Sequence, residues 1–222
     1  MKPKLKSLKD VVLEYPTILF DTCALAHSLN GSSDIPIGRT TTQRQISISE
    51  QTHDSAIFFR EFLEAGGSFY ITSLVQEEYI PNRFSTYKKK VKRGKCSTGD
   101  PLKLNRKRNE ESKERNKLIG KLEENRRILQ FDEHEQKRYK SLCKKYSEIL
   151  RRNGLKETNI DFLISGVVVS KTRDPTCLIS NNFRILYSWN DILNLEGIDS
   201  RQLGFFLRRD FDAFERAGFR KK

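Results

Sequence analysis

Thr17-Ile-Leu-Phe-Asp-Thr-Cys-Ala-Leu25 is the stretch on which the fold turns. Thr17, Ile18, Leu19 and Phe20 form a short run, apolar or β-favouring throughout, of the kind buried on both faces inside a parallel sheet. Asp21 follows at once. Ligands of open α/β sheets sit beyond the carboxyl ends of the strands, so this order puts Asp21 where such a fold keeps its chemistry, with Thr22 or Cys23 opening a helix after it. Asp is also a good helix N-cap, and from these nine residues alone capping is an equally good reading.

The whole chain has 222 residues, enough for one domain with a sizeable core or for a core plus a large insertion. Apolar residues make up 36% and charged residues 32%, so much of the chain must be solvated or bound to something. The net charge of +13 points to a polyanionic partner, nucleic acid ahead of an anionic membrane. No apolar run approaches the roughly 20 residues of a membrane span, and Met1-Lys-Pro-Lys-Leu-Lys6 has no apolar signal core. The expectation is an intracellular, cytoplasmic protein with no membrane partner. Cys23, Cys96, Cys143 and Cys177 lack the paired spacing of a zinc ribbon or a disulfide framework and read as reduced thiols.

Outward from the first strand, Val11-Val-Leu13 predicts a short helix closed by Pro16, and residues 21 to 29 predict another, stopped by Asn30-Gly31. Residues 31 to 52 read as a polar loop, with weak alternation over Gln45 to Ser49 permitting an edge strand. A helix over 55–65 ends at Gly66-Gly67, Ser68 to Thr72 is a second strand, and Ser73 can cap a helix that carries Glu77 and Glu78 and stops at Pro81. Further on, residues 158 to 170 predict a largely buried helix capped by Thr158, presenting Asp161 in its N-terminal turn. Asp174-Pro175 turns the chain into a third buried strand, Cys177 to Ser180, with Asn181-Asn182 at its carboxyl end. Two amphipathic helices follow over 184–195 and 200–217, the second with Leu203, Phe206, Leu207, Phe211 and Phe214 on one side.

The segment from Arg83 to Arg152 differs in kind. It holds 24 Lys and Arg against 10 Asp and Glu, a surplus of 14, which leaves the rest of the chain at −1. Lys88 to Lys95 is its densest cluster. From about Glu110 to Arg152, Leu118, Leu122, Leu129, Tyr139, Leu142, Tyr146, Ile149 and Leu150 recur at helical spacings, predicting a helix pair broken near Phe131-Asp132.

Four pieces of wording in order carry a resemblance: Phe20-Asp-Thr-Cys-Ala-Leu25, Ile71-Thr-Ser-Leu-Val-Gln-Glu-Glu78, Asn159-Ile-Asp-Phe-Leu-Ile-Ser-Gly166 and Ser180-Asn-Asn-Phe183. Together they resemble the PIN-domain nucleases, a family that includes VapC-type toxin ribonucleases and ribosomal RNA processing nucleases. The likeness covers residues 15 to 80 and 157 to 195. It implies a single PIN-like domain of three α/β/α layers around a short, mostly parallel sheet, with core 15–82 and 153–217 and a basic helical insertion over 83–152. It also implies an endoribonuclease that hydrolyses RNA phosphodiester bonds with Mg²⁺ or Mn²⁺, using Asp21, Glu78 and Asp161 as metal ligands and Asn182 as the fourth catalytic position. Glu78 suits the family spacing better than Glu77, and adjacent helix positions point about 100° apart, so one of the two faces the site. The family leaves room for an antitoxin or other protein inhibitor and for a homodimer.

Carboxylates suit the chemistry because Mg²⁺ is a hard cation that takes oxygen ligands and keeps several waters. Asn182 departs from the family's usual acid there, since an amide brings no negative charge, and this supports the alternative of a catalytically impaired PIN-like RNA-binding or scaffold protein. Asp174, Asp191 and Asp199 are open to substituting for the missing acid. Asp161 also reads as an acid favoured by the helix dipole, and Thr22 and Ser73 as caps. His27, His53 and His134 lack metal-site spacing. In the basic stretch, Lys88, Lys89, Lys90, Lys92, Arg93 and Lys95, with Lys103, Arg106, Lys107 and Arg108, have few nearby acids and are the expected RNA phosphate contacts, with Tyr87 available for stacking. Replacing Lys88, Lys89 and Lys90 by alanine is expected to weaken RNA binding and flatten its salt dependence. Identical affinities for parent and triple variant across a salt titration would remove these contacts.

Overall fold

The computed structural model describes residues 8–28, 68–79 and 116–207. The elements are α1 (Leu8–Glu14), β1 (Thr17–Phe20), α2 (Thr22–Ser28), β2 (Ser68–Tyr70) and α3 (Ser73–Tyr79), then a helical stretch α4 over 116–124. There follow α5 (Glu133–Arg152), α6 (Glu157–Thr172), β3 (Thr176–Ser180), α7 (Phe183–Glu196) and β4 (Leu203–Leu207).

The four strands among the described residues run parallel, in the order β2-β1-β3-β4. In register, Ile18 stands beside Phe69 and Cys177, and Phe20 beside Ile179. Successive strand residues point to opposite faces. Thus Ile18, Phe20, Phe69, Ile71, Cys177 and Ile179 pack with α1, α2, α3 and α4, while Leu19, Leu178 and Leu203 pack with α5, α6 and α7. Helices therefore cover both faces of the sheet, compatible with three α/β/α layers. Burial of every residue of β1 and β3 follows from that covering, and it accounts for their continuous apolar runs.

The stretch read as an insertion is partly core. Leu118, Ile119 and Leu122 of α4 pack on one face and Leu129, Leu142, Tyr146 and Leu150 on the other. The break between its helices is wider than expected: residues 125–132 are not helical, and Ile128 bridges to Ile71 in parallel at the β2 edge. A capping box of Asp132 and Glu135 then starts α5. Glu135 is only 2% exposed, yet Arg173 grips both its oxygens, at 2.7 and 2.6 Å, and Thr172 donates to it as well. These bonds, led by the Arg173 guanidinium, hold its carboxyl down at about 2 and tie the start of α5 to the end of α6.

Several expectations change. Residues 203–207 form β4, not the start of a helix over 200–217. Leu203, Phe206 and Leu207 have spacings that fit a helix, but hydrogen bonding along β3 sends alternate side chains to opposite faces, Leu203 and Phe205 toward α7 and Phe206 toward Tyr15. Thr72 rather than Ser73 caps α3, accepting from Val75 N–H at 3.3 Å. No side chain caps α6, which begins at Glu157, so Thr158 does not play that part. The loop over 31–52, the helix over 55–65, the cluster from Lys88 to Arg108 and the chain beyond Leu207 lie outside the described residues.

Gly204 is fixed by Tyr15. A Cβ there would stand 2.6 Å from the Tyr15 ring, which is held by its hydroxyl donating to Ser200 C=O at 3.0 Å. Gly204→Ala is expected to destabilise the chain by about 1–3 kcal/mol through this overpacking, measured by denaturant unfolding. Adding Tyr15→Leu should recover part of the loss, and additive losses would show that the ring is not the obstacle.

Candidate functional site

Because the strands of the described residues are parallel, their carboxyl ends share one edge, where Asp21 stands with Glu78 near it and toward which Asp161 comes from α6. Asp21 N–H donates to Ile179 C=O at 3.2 Å as β1 ends, which sets the aspartate beside the end of β3. Its Oδ1 accepts from Ala24 N–H at 2.6 Å and its Oδ2 from Ser180 Oγ. Capping and edge position are thus two aspects of one arrangement. The side chain is 4% exposed. Burial pushes its pKa up to about 6, opposed by the Ser180 and Ala24 hydrogen bonds and reinforced by the charge of Glu78.

Glu78 reaches this group from α3. Thr22 Oγ1 donates to Glu78 Oε2 at 2.8 Å, linking the first turn of α2 to the second turn of α3. Glu77, one position earlier, is exposed and turned elsewhere: its charge bears on Asp161. The charge of Glu78 thus bears on Asp21 and that of Glu77 on Asp161.

Asp161 comes from the second turn of α6. That helix runs into β3 through the short turn at 173–175, so its N-terminal part lies toward the carboxyl edge of the sheet. Tyr139 Oη donates to Asp161 Oδ1 at 2.6 Å, whereas Oδ2 is buried and accepts no hydrogen bond. Burial raises the Asp161 pKa, the nearby Thr72 and Tyr139 hydroxyls oppose this, and Glu77 adds to it. Burial and Asp161 in turn push the Tyr139 phenol far above its ordinary range.

Asn182 enters differently. Its Oδ1 accepts from Arg184 N–H at 3.0 Å and caps α7, while its own N–H donates to Ser180 Oγ at 2.9 Å. It reaches Asp21 through Ser180. Of the acids open to substitution, Asp199 Oδ1 accepts from Arg201 N–H at 2.8 Å in an exposed turn, Asp174 contributes its carbonyl to Thr176, and Asp191 is exposed on α7. The RNA-contact candidates Lys88, Lys89, Lys90, Lys92, Arg93, Lys95, Lys103, Arg106, Lys107 and Arg108 lie outside the described residues. Sequence reasoning missed Ser180, Thr72 and Tyr139 as site hydroxyls. Ser180 was visible as the polar end of a buried strand, while Tyr139 was absorbed into the apolar stripe of its helix.

Two carboxylate pairs result, Asp21 with Glu78 and Asp161 with Glu77. Among the described residues, no group of three or more His, Cys, Asp or Glu side chains is placed to hold a metal ion. Compared with known proteins, the chain matches no family model, no curated protein and no solved structure.

The raised pKa of Asp21 has a stability consequence. Between the unfolded value near 4 and the folded value of about 6, the folded chain holds a proton that the unfolded chain does not. Stability therefore rises as pH falls from about 6 toward 4, and the cost of the buried charge is fully present above that window. Asp21→Asn is expected to stabilise the chain by about 1–3 kcal/mol at pH 7 and much less near pH 4.5, followed by thermal unfolding at both pH values. An equal effect at both would show that Asp21 carries no such shift.

Proposed function

We propose that this chain is a PIN-like, metal-dependent endoribonuclease that hydrolyses RNA at the carboxyl edge of its sheet. The observation that carries the reading is the pairing of the buried Asp21, at the end of β1, with Glu78 of α3, while Asp161 of α6 is partly buried with one oxygen unpartnered, and both aspartates are raised in pKa. Burying carboxylates near one another is costly unless something positive joins them. The donor set suits a hard divalent cation, since every candidate ligand is an oxygen and Asp161 Oδ2 is left without a partner. Mg²⁺ is commonly held by one or two carboxylates together with waters and substrate phosphate, so the division into two pairs fits it better than a site needing a full protein cage. Asp21 with Glu78 would hold the ion, and Asp161 would serve beside them. When bound, Mg²⁺ or Mn²⁺ supplies positive charge that acidifies water and stabilises the oxygens of an in-line phosphodiester displacement.

The chain's own residues do the positioning. Ala24 N–H and the Ser180 hydroxyl fix Asp21, the Thr22 hydroxyl orients Glu78, and Tyr139 occupies one oxygen of Asp161 so that the other stays directed. The surplus of basic residues over 83–152 supplies electrostatic attraction for the substrate. One observation favours a second reading, a PIN-like RNA-binding or scaffold protein with impaired catalysis: the Asn182 amide oxygen is committed to its helix cap.

Incubated with labelled single-stranded RNA and Mn²⁺, the full chain is expected to cut, and chelation is expected to stop it. Asp21→Asn and Asp161→Asn should each lower the rate at least about 100-fold, and Glu78→Gln should cost more than Glu77→Gln. Mn²⁺ should also raise the thermal midpoint of the parent but not of Asp21→Asn. Binding without cutting, and no Mn²⁺ shift, would leave the second reading in place.

A further inference from the structure

A chain of contacts leads outward from Asp21. Asp21 is hydrogen-bonded to Ser180, Ser180 accepts from Asn182 N–H, and Asn182 caps the helix whose first residues are Phe183 and Arg184. Arg184 Nη1 donates to Gly154 C=O at 3.2 Å, so its guanidinium lies over the turn that leads to Lys156. Lys156 is the N-cap residue of α6, the helix that carries Asp161 toward the same edge.

The outer side of this rim carries two kinds of group. Arg184 and Lys156 are exposed, and neither pairs with a carboxylate among the described residues, whereas Arg151 and Arg152 nearby are taken by Glu157 and Glu148. Phe183 and Tyr187, one helical turn apart on α7, are 39% and 69% exposed. The rest of α7 follows the opposite economy, with Ile185, Ser188, Ile192 and Leu193 buried. An aromatic ring as exposed as Tyr187, with cations nearby that no carboxylate among the described residues neutralises, matches single-stranded nucleic acid, which offers bases to stack and phosphates to neutralise. A duplex keeps its bases stacked inside and would leave the ring unused.

We infer that Tyr187, with Lys156 and Arg184, forms a track at the rim of the Asp21 pocket that binds single-stranded RNA by base stacking and phosphate contact. This deepens the nuclease reading by naming the form of the substrate and where it enters. It assigns part of the binding to the sheet edge and not to the basic cluster alone. The ring gives affinity without strong sequence preference, because every base has a face to stack.

The test uses the full chain with fluorescein-labelled oligouridine in EDTA, read by anisotropy between about 50 and 200 mM salt, so that cleavage plays no part. Tyr187→Ala is expected to weaken binding about 10-fold at every salt concentration, and Tyr187→Phe to keep most of the parent affinity. Lys156→Gln should lower the slope of log affinity against log salt by about 0.7, the value of one single-strand phosphate contact. Thermal unfolding of each variant confirms that it is folded. Parent-like affinity for Tyr187→Ala with a parent-like slope for Lys156→Gln would overturn the track, as would a parent chain that binds no oligouridine. If the chain fails to cut in Mn²⁺ but these variants behave as expected, the nuclease reading falls and the track stands. Cutting by a Tyr187→Ala variant of undiminished affinity would do the reverse.

Discussion

The in-register parallel pairing of β1 with β3 is the constraint on which the rest depends. It brings Phe20 beside Ile179, so the residues that leave the two strands, Asp21 and Ser180, meet although 159 positions separate them in the chain. A slip of one residue would exchange the two faces of β1, sending Ile18 and Phe20 to the side now held by Leu19. It would also part Asp21 from the Ser180 hydroxyl. Register is therefore set by the fit of apolar side chains to two separate cores, and the polar edge inherits its geometry from that fit. The site is a consequence of packing, and it also opposes folding, since Asp21 is buried at a cost that two hydrogen bonds only partly offset.

What was legible in the sequence follows from this. Runs buried on both faces, such as Thr17 to Phe20 and Cys177 to Ser180, stand out because every residue is recruited to a core, and the acid after the first run was readable for the same reason. The helix over 184–195 was equally plain, but its Asn182 cap was read only as a catalytic position, and Gly197, which takes a left-handed conformation where that helix ends, was not read at all. β4 was not legible, because five residues sampling both faces of an edge can satisfy a helical stripe equally well. Thr72 and Tyr139 were hidden for a different reason. Their roles depend on Asp161, whose neighbours are set by how α6 lies against β2 and α5, a tertiary fact with no local signature. Helical spacing marked Leu118, Leu122 and Leu142 as apolar faces, but nothing local showed that those faces pack into the two cores of the sheet.

That last point changes what the basic segment can be. Both ends of the stretch 80–115 are rooted on the same face of the sheet, since α3 before it and α4 after it share one apolar cluster, and Gln76 Nε2 donates to Glu123 Oε1 at 2.5 Å. Farther along, Ile128 adds a bridge to the β2 edge and the Glu135–Arg173 grip closes the path onto α6. The entropic cost of closing a loop grows only slowly with its length, so a long excursion between two firmly packed helices is thermodynamically inexpensive.

The anchoring also bears on why the charge is divided as it is. A cation-binding pocket must hold negative charge close, and a nucleic-acid site must present positive charge to a polyanion, and the two would cancel if interleaved. Here the acids are drawn inward, where Asp21 and Asp161 are largely removed from solvent, while Lys156 and Arg184 stay on the surface around them. Water screens the exposed cations from the buried acids more than it screens the acids from one another, because the latter interact through protein. The same edge can therefore repel anions at its centre in the absence of metal and attract them at its rim. A divalent ion would reverse the sign of the centre alone, so phosphate binding at the centre would be conditional on the ion while attraction at the rim would not.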